Sequence, residues 1–488
     1  MNQINQHKRG RIAAACGLAL FGSVLLAQAQ PAPPPTGSSA KAKAAAPRAP
    51  ASAASAAKAK DIVLDAPSAA VQPQAGGALV PTPGAQSQVT PALAELPPRG
   101  TSAAQDTAIA GALAELALDL MRQQSKTSGD AQVNSVVSSV SLASAMGMVH
   151  AGAVGAGARE IAGLLGAPSA GDRNFTVRFP SLLGRLAASG AKTGAYVMAN
   201  RVWLDKAVVT EVPTSYAALV SQRFKADGAV VPFAQAPAAR DIINGWVSEK
   251  TSKRIPELMP DGSITPTTKM VVTNAIYFKS KWAQPFDAAQ TVPKPFHLAP
   301  GGSKPVPMMV DERQVRMGTV DNVTVIELPF AGNEFTLLVG MPPAGHTLNA
   351  FEEDLDGLEL AGWSSQLKPV TCRLELPKFT IAPVSRSLKP ALQAMGVKTV
   401  FGPEADLSGM LGKAGKGVQL DNVYQSATII IDEQGGEAAA ATGATGVSKS
   451  FSMPAPPCAV DRPFIFAVVH KGSGAPLFVG KVADPTRQ

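Results

Sequence analysis

The hydrophobic pattern of the chain predicts helices first and strands later. Between residues 103 and 124, leucine and isoleucine recur at three- and four-residue spacing, as on the buried face of an amphipathic helix, and residues 140–149 and 159–165 continue as two further helices. The pattern then changes to alternating or continuous apolar runs, which predict strands over residues 195–204, 269–278, 323–330, 333–341 and 371–381. Helices grouped before strands indicate an α+β domain.

The first hundred residues differ in composition from the rest. Residues 30–102 consist mainly of Ala, Pro, Ser, Gly and Gln, and such a segment cannot bury enough apolar surface to offset the entropy of ordering it. We therefore expect a disordered linker here, followed by one folded domain over residues 103–488. Residues 1–29 resemble a secretory signal peptide, with a basic start, an apolar stretch too short to span a membrane, and the cleavage pattern Ala27-Gln28-Ala29.

The signal peptide predicts an exported protein, either periplasmic or extracellular. No later segment is long and apolar enough to span a membrane. Most of the net charge of +8 lies in the first hundred residues, which hold nine Lys/Arg and three acidic residues, so the folded domain is nearly neutral. That distribution argues against nucleic acid as a partner. The basic linker is more simply explained as a solvated tether than as a segment that binds anionic polymers.

No set of residues has the spacing of an active site. The five histidines match neither a metal-binding nor a nucleophile motif, and the glycine-rich stretch 409–417 lacks the Ser or Thr that follows lysine in a phosphate-binding loop. Removal of a signal peptide leaves two cysteines, Cys372 and Cys458, which are either isolated apolar residues or one disulfide. The sequence therefore predicts a protein that is not an enzyme and that binds neither a metal nor a cofactor.

Five segments in chain order resemble one family. NAIYFKSKWAQPF (274–286), LPKFTI (376–381), ADLSGM (405–410) and DRPFIFAVVHKGSGAPLFVGKVADP (461–485) are similar to segments of the serpins, and IDEQGGEAAAAT (431–442) resembles the hinge of the serpin reactive loop. The resemblance implies the α+β serpin fold, with three β-sheets, eight or nine helices and an exposed reactive loop above a five-stranded sheet. We expect a secreted bacterial member of the family.

The resemblance implies a serine-protease inhibitor that acts once per molecule. A target protease attacks the loop, and the cut loop then inserts into the central sheet as a new strand while the protease is still held as an acyl-enzyme. The hinge that starts this insertion comprises Glu433, Gly435, Gly436, Glu437, Ala438, Ala439, Ala440, Ala441 and Thr442. Alternate positions from Gly436 to Gly446 are small and uncharged, as a strand entering a packed sheet requires.

One hinge residue departs from the inhibitory pattern. Inhibitory members usually carry Thr or Ser where Gly436 stands. Because glycine loses more conformational entropy when it is ordered, we expect slower insertion and more turnover of the inhibitor as a plain substrate.

The family position of the cleaved bond selects Lys449-Ser450, sixteen residues beyond Glu433. Lysine before the bond suits a trypsin-like protease, whose specificity pocket is acidic. Phe451 and Met453 are nearby alternatives that would suit an apolar pocket. Cysteine proteases are a further class of target, because the trap depends on the acyl intermediate rather than on serine.

Two regions that control opening of the sheet also follow from the resemblance. Glu433 and Lys378 match an ion pair beside Trp282, near the point where insertion begins. A polar cluster beneath the centre of the sheet is matched by Asn134, Ser138, Ser141 and Asn274. Gln425 replaces the histidine expected in this cluster, and it gains no proton near neutral pH. We therefore expect loop opening to be insensitive to pH between about 5 and 8.

Cys372 and Cys458 match adjacent strands of a smaller sheet in the family. A disulfide there would hold the strand that follows the reactive loop and would block insertion of the uncut loop. The alternative to an inhibitor is a non-inhibitory serpin-fold binding protein, whose mark would be large or charged residues in the hinge. In either case we expect a monomer.

Overall fold

The computed structural model describes residues 103–128, 133–166, 173–209, 212–224, 226–298, 301–343, 345–436 and 455–487. The signal peptide and linker expected before residue 103 lie outside these ranges, as do residues 437–454 of the expected reactive loop. Within the described ranges the α+β class is confirmed, since ten α-helices lie beside two hydrogen-bonded sheets.

The helix count in the described part of the chain is ten rather than eight or nine, and the last two helices are only six and four residues long. They are α1 (Ala103–Ser128), α2 (Ser139–Gly152), α3 (Gly155–Leu164), α4 (Arg173–Thr193), α5 (Thr214–Phe224), α6 (Ala236–Lys250), α7 (Leu348–Asp354), α8 (Gly357–Gln366), α9 (Lys389–Ala394) and α10 (Ser408–Leu411). The three helices predicted from the sequence are confirmed as α1, α2 and α3. Helix α2 begins where it does because the Ser138 side chain caps it, accepting a hydrogen bond from the Ser141 amide at 3.2 Å.

The described strands are β1 (Ser135–Val137), β2 (Tyr196–Asp205), β3 (Asp227–Val231), β4 (Met270–Phe278), β5 (Val292–Leu298), β6 (Gly302–Val320), β7 (Val323–Pro329), β8 (Phe335–Met341), β9 (Lys368–Pro377), β10 (Phe379–Ile381), β11 (Arg386–Ser387), β12 (Asn422–Ile431), β13 (Pro457–Ala459), β14 (Phe464–His470) and β15 (Pro476–Val482). Four of the predicted strands are confirmed as β2, β4, β7 and β8. The strand predicted over residues 371–381 is wrong in one respect, because the chain breaks at Lys378 into β9 and β10, which belong to different sheets.

The larger sheet has nine strands in the order β1-β15-β14-β8-β7-β6-β9-β13, with β5 also paired to β6. Hydrogen bonds thus join two of the three sheets that the resemblance implies. The cause is the length of β6, which is 19 residues. It pairs with β9 along Met308–Met317 and with β7 along Arg316–Val320, so one strand continues through both layers.

The smaller sheet has six strands in the order β10-β12-β4-β2-β3, with β11 beside β12. At its centre β4 and β12 are parallel neighbours, in register from Val271 opposite Asn422 to Tyr277 opposite Thr428. We call this pair the β4–β12 seam. Both strands are almost wholly buried.

The two faces of the smaller sheet pack against different layers. Along β4, Met270, Val272 and Ile276 enter the main hydrophobic core on the face that carries α2. Val271 and Ala275 point to the other face, into a second cluster that contains residues of α6 and of the segment after it. Side chains alternate between the faces because successive residues of a strand point to opposite sides. We call the face that carries α2 the back face, and the face that packs against α6 the front face.

A buried histidine connects α4 to the turn between β14 and β15. His470 is 4% exposed. Its Nδ1 lies 2.8 Å from Ser473 Oγ and its Nε2 lies 3.1 Å from Ser189 Oγ. Burial lowers the pKa of His470 below its ordinary value, although Glu334 acts to raise it, while Arg185 acts in the same direction as burial.

We expect His470→Gln to flatten the decline of stability in mild acid. The fold favours neutral His470, so its contribution is complete above pH 6.5 and is lost as the pH falls below that value, where the unfolded chain takes up the proton. One such group changes stability by at most about 1.4 kcal/mol per pH unit. Urea unfolding at pH 7.5 and 5.5 measures the effect, and an equal pH dependence in both proteins would contradict it.

Candidate functional site

The chain reverses direction directly after β12. The amides of Gln434 and Gly435 donate to Asp432 Oδ1 at 2.9 and 3.0 Å, and the Asp432 amide donates to the Gly435 carbonyl at 2.9 Å. Gly435 has φ +124°, and a Cβ at this position would lie 2.7 Å from the backbone nitrogen of Trp282. Glycine is therefore required at the turn on two counts, backbone conformation and close approach.

The turn is docked on the segment that follows β4. The Trp282 amide donates to the Gln434 carbonyl at 2.8 Å, and its indole Nε1 donates to the Asp432 carbonyl at 2.8 Å. The indole ring stacks on Phe330, with ring centroids 4.6 Å apart. Trp282 thus fixes the turn through backbone and side chain together, beside Glu433 as the resemblance implies.

Gly436 continues the reversed chain alongside the same segment. Its amide donates to the Ser280 carbonyl at 2.6 Å. A Cβ at Gly436 would lie 3.0 Å from the Ser280 nitrogen and 3.1 Å from the Lys279 Cα, so a larger residue would need the neighbouring backbone to shift. Because Gly436 has no side chain, the first residues of the hinge can lie close to the backbone that follows β4. Whether Gly436 also slows insertion stays a prediction.

The ion pair between Glu433 and Lys378, expected from the sequence, forms at this turn. Glu433 is 8% exposed, and its Oε2 lies 2.8 Å from Lys378 Nζ. The Thr291 hydroxyl donates to Glu433 Oε1 at 2.7 Å. Burial acts to raise the pKa of the Glu433 carboxyl, but the hydrogen bonds from Lys378 and Thr291 outweigh it and hold that pKa below its ordinary value. The carboxylate therefore stays charged at neutral pH.

A row of buried amides crosses the middle of the smaller sheet on its back face. Asn200 of β2 is the register partner of Asn274 of β4, which is the register partner of Gln425 of β12. Gln425 Nε2 donates to Asn274 Oδ1 at 3.0 Å and to the Ser138 carbonyl at 3.1 Å. The Ser141 hydroxyl donates to Asn200 Oδ1 at 2.9 Å. We call Asn200, Asn274 and Gln425 the amide row, and one of its hydrogen bonds spans the β4–β12 seam.

The structure places most, but not all, of the predicted polar cluster here. Ser138, Ser141, Asn274 and Gln425 come together at the N-terminus of α2. Asn134 does not bond to them, because it precedes β1, which pairs with β15. Its Nδ2 donates to the Asp484 carbonyl at 2.7 Å, so it fastens the C-terminal end of the chain.

Asn200 belongs to this site and was not found from the sequence. It is a single amide in an otherwise mostly apolar strand, 7% exposed, with no motif around it. The signal that could have found it is the pairing of β2 with β4, which sets Asn200 opposite Asn274. Strand pairing over 74 positions is not visible in a sequence pattern.

Cys372 and Cys458 form a disulfide between β9 and β13, with Cα atoms 5.9 Å apart. That separation lies within the ordinary range for a disulfide. Strand β13 is the described strand that follows the hinge, and it pairs only with β9 among the described strands. The bond therefore ties the far end of the loop region to the body of the larger sheet.

Some predicted residues lie outside the described ranges. These are Glu437, Ala438, Ala439, Ala440, Ala441, Thr442, Lys449 and Ser450, together with the alternatives Phe451 and Met453. In the described part of the chain, no group of three or more His, Cys, Asp or Glu side chains could hold a metal ion. No helix in those ranges has the length and apolar character needed to cross a membrane.

A family model described as "Serpin (serine protease inhibitor)" matches residues 111–485. The chain belongs to the serpin family. Curated relatives of this serpin include Serpin-Z2A of Oryza sativa subsp. japonica, 34% identical over 417 residues that cover 77% of this chain and 97% of the relative. Leukocyte elastase inhibitor of Bos taurus is 33% identical and is covered over 93% of its length, with 72% of this chain.

Solved structures confirm the serpin fold. A structure described as that of a tumour suppressing serpin has a TM-score of 0.67 at 25% identity, covering 78% of this chain and 100% of that one. Human thyroxine-binding globulin complexed with thyroxine has a TM-score of 0.68 at 25% identity, covering 78% of this chain and 100% of that one. The two relatives described above, from rice and cattle, are eukaryotic.

We expect Lys378→Met to loosen the hinge turn and to lower the free energy of unfolding of the intact protein by about 1 kcal/mol, since the lysine is partly exposed and its ion pair is screened. Because the pKa of Glu433 is depressed, this contribution is present above pH 4.5 and is lost as the pH falls below it. The variant and the wild type should therefore differ in melting temperature at pH 7, and the difference should shrink as the pH falls below 4.5.

Lys413→Met is the matched control, because Lys413 is exposed and lies outside the hinge. It should melt like the wild type at every pH. A Lys378→Met protein that is indistinguishable from this control at pH 7 would contradict the stabilising role of the ion pair.

Proposed function

We propose that this serpin is an exported inhibitor of serine endopeptidases that acts as a suicide substrate, by loop cleavage followed by insertion of the loop into the smaller sheet. One observation carries the proposal: β4 and β12 are parallel neighbours, and the chain that leaves β12 turns back at their end with its first residues already against the seam. In the sequence, alternate positions from Gly436 to Gly446 are small and uncharged, and such residues can enter a packed interior.

Strand geometry supports a gain in pairing on insertion. The chain reverses at Asp432–Gly435, so a strand that continued down the seam would run antiparallel to both β4 and β12. Parallel pairs are slightly less stable per residue than antiparallel ones. Insertion would replace one parallel pair by two antiparallel pairs, and this difference supplies a driving force.

Two groups of contacts oppose that change in the intact protein. On the back face, the Gln425–Asn274 hydrogen bond spans the seam at 3.0 Å. On the front face, Tyr424 of β12 and Val271 of β4 share one apolar cluster with α6. Opening the seam requires both to give way, together with the backbone pairing of β4 with β12 from Val271 to Tyr277.

The trap depends on a competition between two rates. Once the protease has formed its acyl intermediate, either the loop inserts and displaces the enzyme or water completes the cleavage. A slower insertion raises the number of inhibitor molecules consumed for each protease molecule trapped. Gly436 would act on this ratio through the entropy of ordering the hinge.

The choice of target follows from the cleaved bond, which we place at Lys449-Ser450. Lysine at this position favours trypsin-like proteases. Cleavage after Phe451 or Met453 would instead direct the inhibitor to proteases with apolar pockets. Cysteine proteases that form an acyl intermediate are a second class of target.

We further propose that the inhibitor is a monomer of bacterial origin that acts in the periplasm or outside the cell. The proposal is supported by the basic and apolar pattern of residues 1–29 and by the Ala/Pro-rich linker that follows. A disulfide between Cys372 and Cys458 fits an oxidising compartment.

A non-inhibitory binding protein is the second candidate, and the likeness to thyroxine-binding globulin favours it. A carrier of this kind needs no insertion of a cleaved loop. The two candidates therefore differ in one measurable property, the change of melting temperature when the loop is cut. A large increase indicates insertion and an inhibitor, whereas an unchanged value indicates a binding protein.

We expect a covalent complex with a trypsin-like protease that survives denaturing gel electrophoresis, and a new N-terminus at Ser450 in the released peptide. Lys449→Met should slow complex formation about 100-fold, because the acidic specificity pocket of the protease is then left without its partner charge. Mass spectrometry of the peptide identifies the bond.

Lys413→Met again serves as the control and should form the complex as the wild type does. Cleavage mainly after Phe451 or Met453 would overturn the assignment of Lys449. A protein that is simply digested, with no complex and no gain in melting temperature, would overturn the inhibitory function itself.

We expect the disulfide to preserve the active form during storage. The strand β13 must leave β9 if the uncut loop is to insert in full, and the bond prevents this separation. Replacement of both cysteines by alanine should lower the free energy of unfolding by about 2–4 kcal/mol and shorten the half-life of inhibitory activity on warming. Equal half-lives, or two reactive thiols in the exported protein, would contradict this role.

A further inference from the structure

The segment that follows β4 supports the hinge turn at two backbone positions. The Trp282 amide donates to the Gln434 carbonyl, and the Phe286 amide donates to the Glu433 carbonyl, each at 2.8 Å. We call residues 282–286 the docking segment. It lies between β4 and β5 and belongs to neither strand, so no ladder of strand hydrogen bonds sets its shape. The position of the hinge turn therefore depends on the contacts that fix this segment.

One buried side chain of β6 fixes the middle of the docking segment. Arg313 is 7% exposed. Its Nη1 donates to the Gln284 carbonyl at 2.8 Å, and its Nη2 donates to the Pro285 carbonyl at 3.2 Å. The guanidinium carbon lies 3.8 Å from the centre of the Phe286 ring, which is a cation–π contact. A single side chain thus holds three consecutive residues of the docking segment.

The guanidinium is itself held in place by its own strand. Asp311 Oδ2 accepts from Arg313 Nε at 2.9 Å and from Arg313 Nη2 at 2.6 Å. In the pairing of β6 with β9, Arg313 lies opposite Cys372, which the disulfide joins to Cys458 of β13. Because the planar guanidinium is pre-organised, it loses little entropy for each hydrogen bond that it donates. Arg313 is therefore a rigid anchor within the larger sheet.

Phe286 continues the contact toward the hinge turn. Its ring is 2% exposed and meets the Trp282 indole edge to face, with ring centroids 6.2 Å apart. The indole Nε1 of Trp282 in turn donates to the Asp432 carbonyl at 2.8 Å. An unbroken series of contacts therefore runs from Arg313 through two aromatic rings to the backbone of the turn.

We propose that Arg313 is a positioning residue that ties the hinge turn to the larger sheet through the docking segment. This attachment is separate from the ion pair between Glu433 and Lys378. The ion pair holds a side chain of the turn, whereas Arg313 holds the backbone on which the turn rests. This role belongs to the intact protein, so it goes beyond the proposed function and needs no cleavage of the loop.

Amide hydrogen exchange in the intact full chain tests this role by comparing Arg313→Met with the wild type. Methionine is a long side chain that donates no hydrogen bond. Because hydrogen bonds from a charged donor are lost, the Trp282 and Phe286 amides should exchange about tenfold faster. The Gly435 amide, which donates within the turn to Asp432, should also exchange faster. Its response shows whether the effect passes from the docking segment to the turn.

Arg373→Met is the matched control. Arg373 lies on the neighbouring strand β9, is exposed, and pairs with Glu375 at 2.8 Å. Its replacement should leave the three amides unchanged. Arg313→Lys is a milder variant for the case in which methionine prevents folding, and it keeps a cation beside Asp311. A single ammonium lacks the planar fork that serves two carbonyls, so the same amides should exchange faster than in the wild type, by a smaller factor.

The outcomes separate this role from the function of the protein. Unchanged exchange at Trp282 and Phe286 in the Arg313 variants would overturn the proposal. Faster exchange there with an unchanged Gly435 amide would also overturn it, because the effect would then stop at the docking segment. If the three amides respond as expected but the wild type forms no complex with a protease and gains no melting temperature on cleavage, the proposed function is wrong and the role of Arg313 stands.

Discussion

The parallel pairing of β4 with β12 is the constraint on which the rest of the structure depends. These two strands lie side by side at the centre of a sheet, and the chain that leaves β12 turns back toward the groove between them. Such a sheet can adopt a second arrangement, in which an added strand lies between β4 and β12. The added strand would be antiparallel to both of its neighbours. In the intact fold, backbone pairing and the Gln425–Asn274 hydrogen bond keep the two strands together.

The side-chain contacts that add to the backbone pairing lie at two levels, the hinge turn and the middle of the seam. The Glu433–Lys378 ion pair and Trp282 hold the turn at one end, the amide row spans the middle, and Tyr424 joins β12 to the front cluster under α6. Each is a local interaction of a kind worth a few kcal/mol at most. Such an arrangement suits a protein that must remain closed until cut and then open completely.

The sequence could predict the hinge because its signal is local. The run of alanines in IDEQGGEAAAAT is visible within a dozen residues, and the resemblance to serpins implies that Glu433 and Lys378 form an ion pair beside Trp282 near this run. Asn200 could not be found in this way, since its role depends on pairing with Asn274 across the sheet. Asn134 was placed in the wrong group for the same reason, because the pairing of β1 with β15 turns it toward the C-terminal end.

The fold shows a similar division between local and long-range information. Strongly periodic segments such as α1 and the buried strand β4 were predicted with nearly correct limits. Helix α4 was missed, and it carries Pro180 within its length, where proline normally argues against a helix. The break at Lys378 was also missed, because an apolar run does not reveal that its two halves enter different sheets.

Trp282 gives the protein an internal optical reporter. The other three tryptophans of the chain lie away from the hinge turn: Trp203 and Trp246 contact each other at the front cluster, and Trp363 is buried in α8. Trp282 alone among the four both stacks on Phe330 and donates its indole hydrogen to the hinge turn. Movement of the turn away from Trp282 would change the polarity and the ring contacts around that indole, so we expect the fluorescence of Trp282 to respond to opening of the hinge without an added dye.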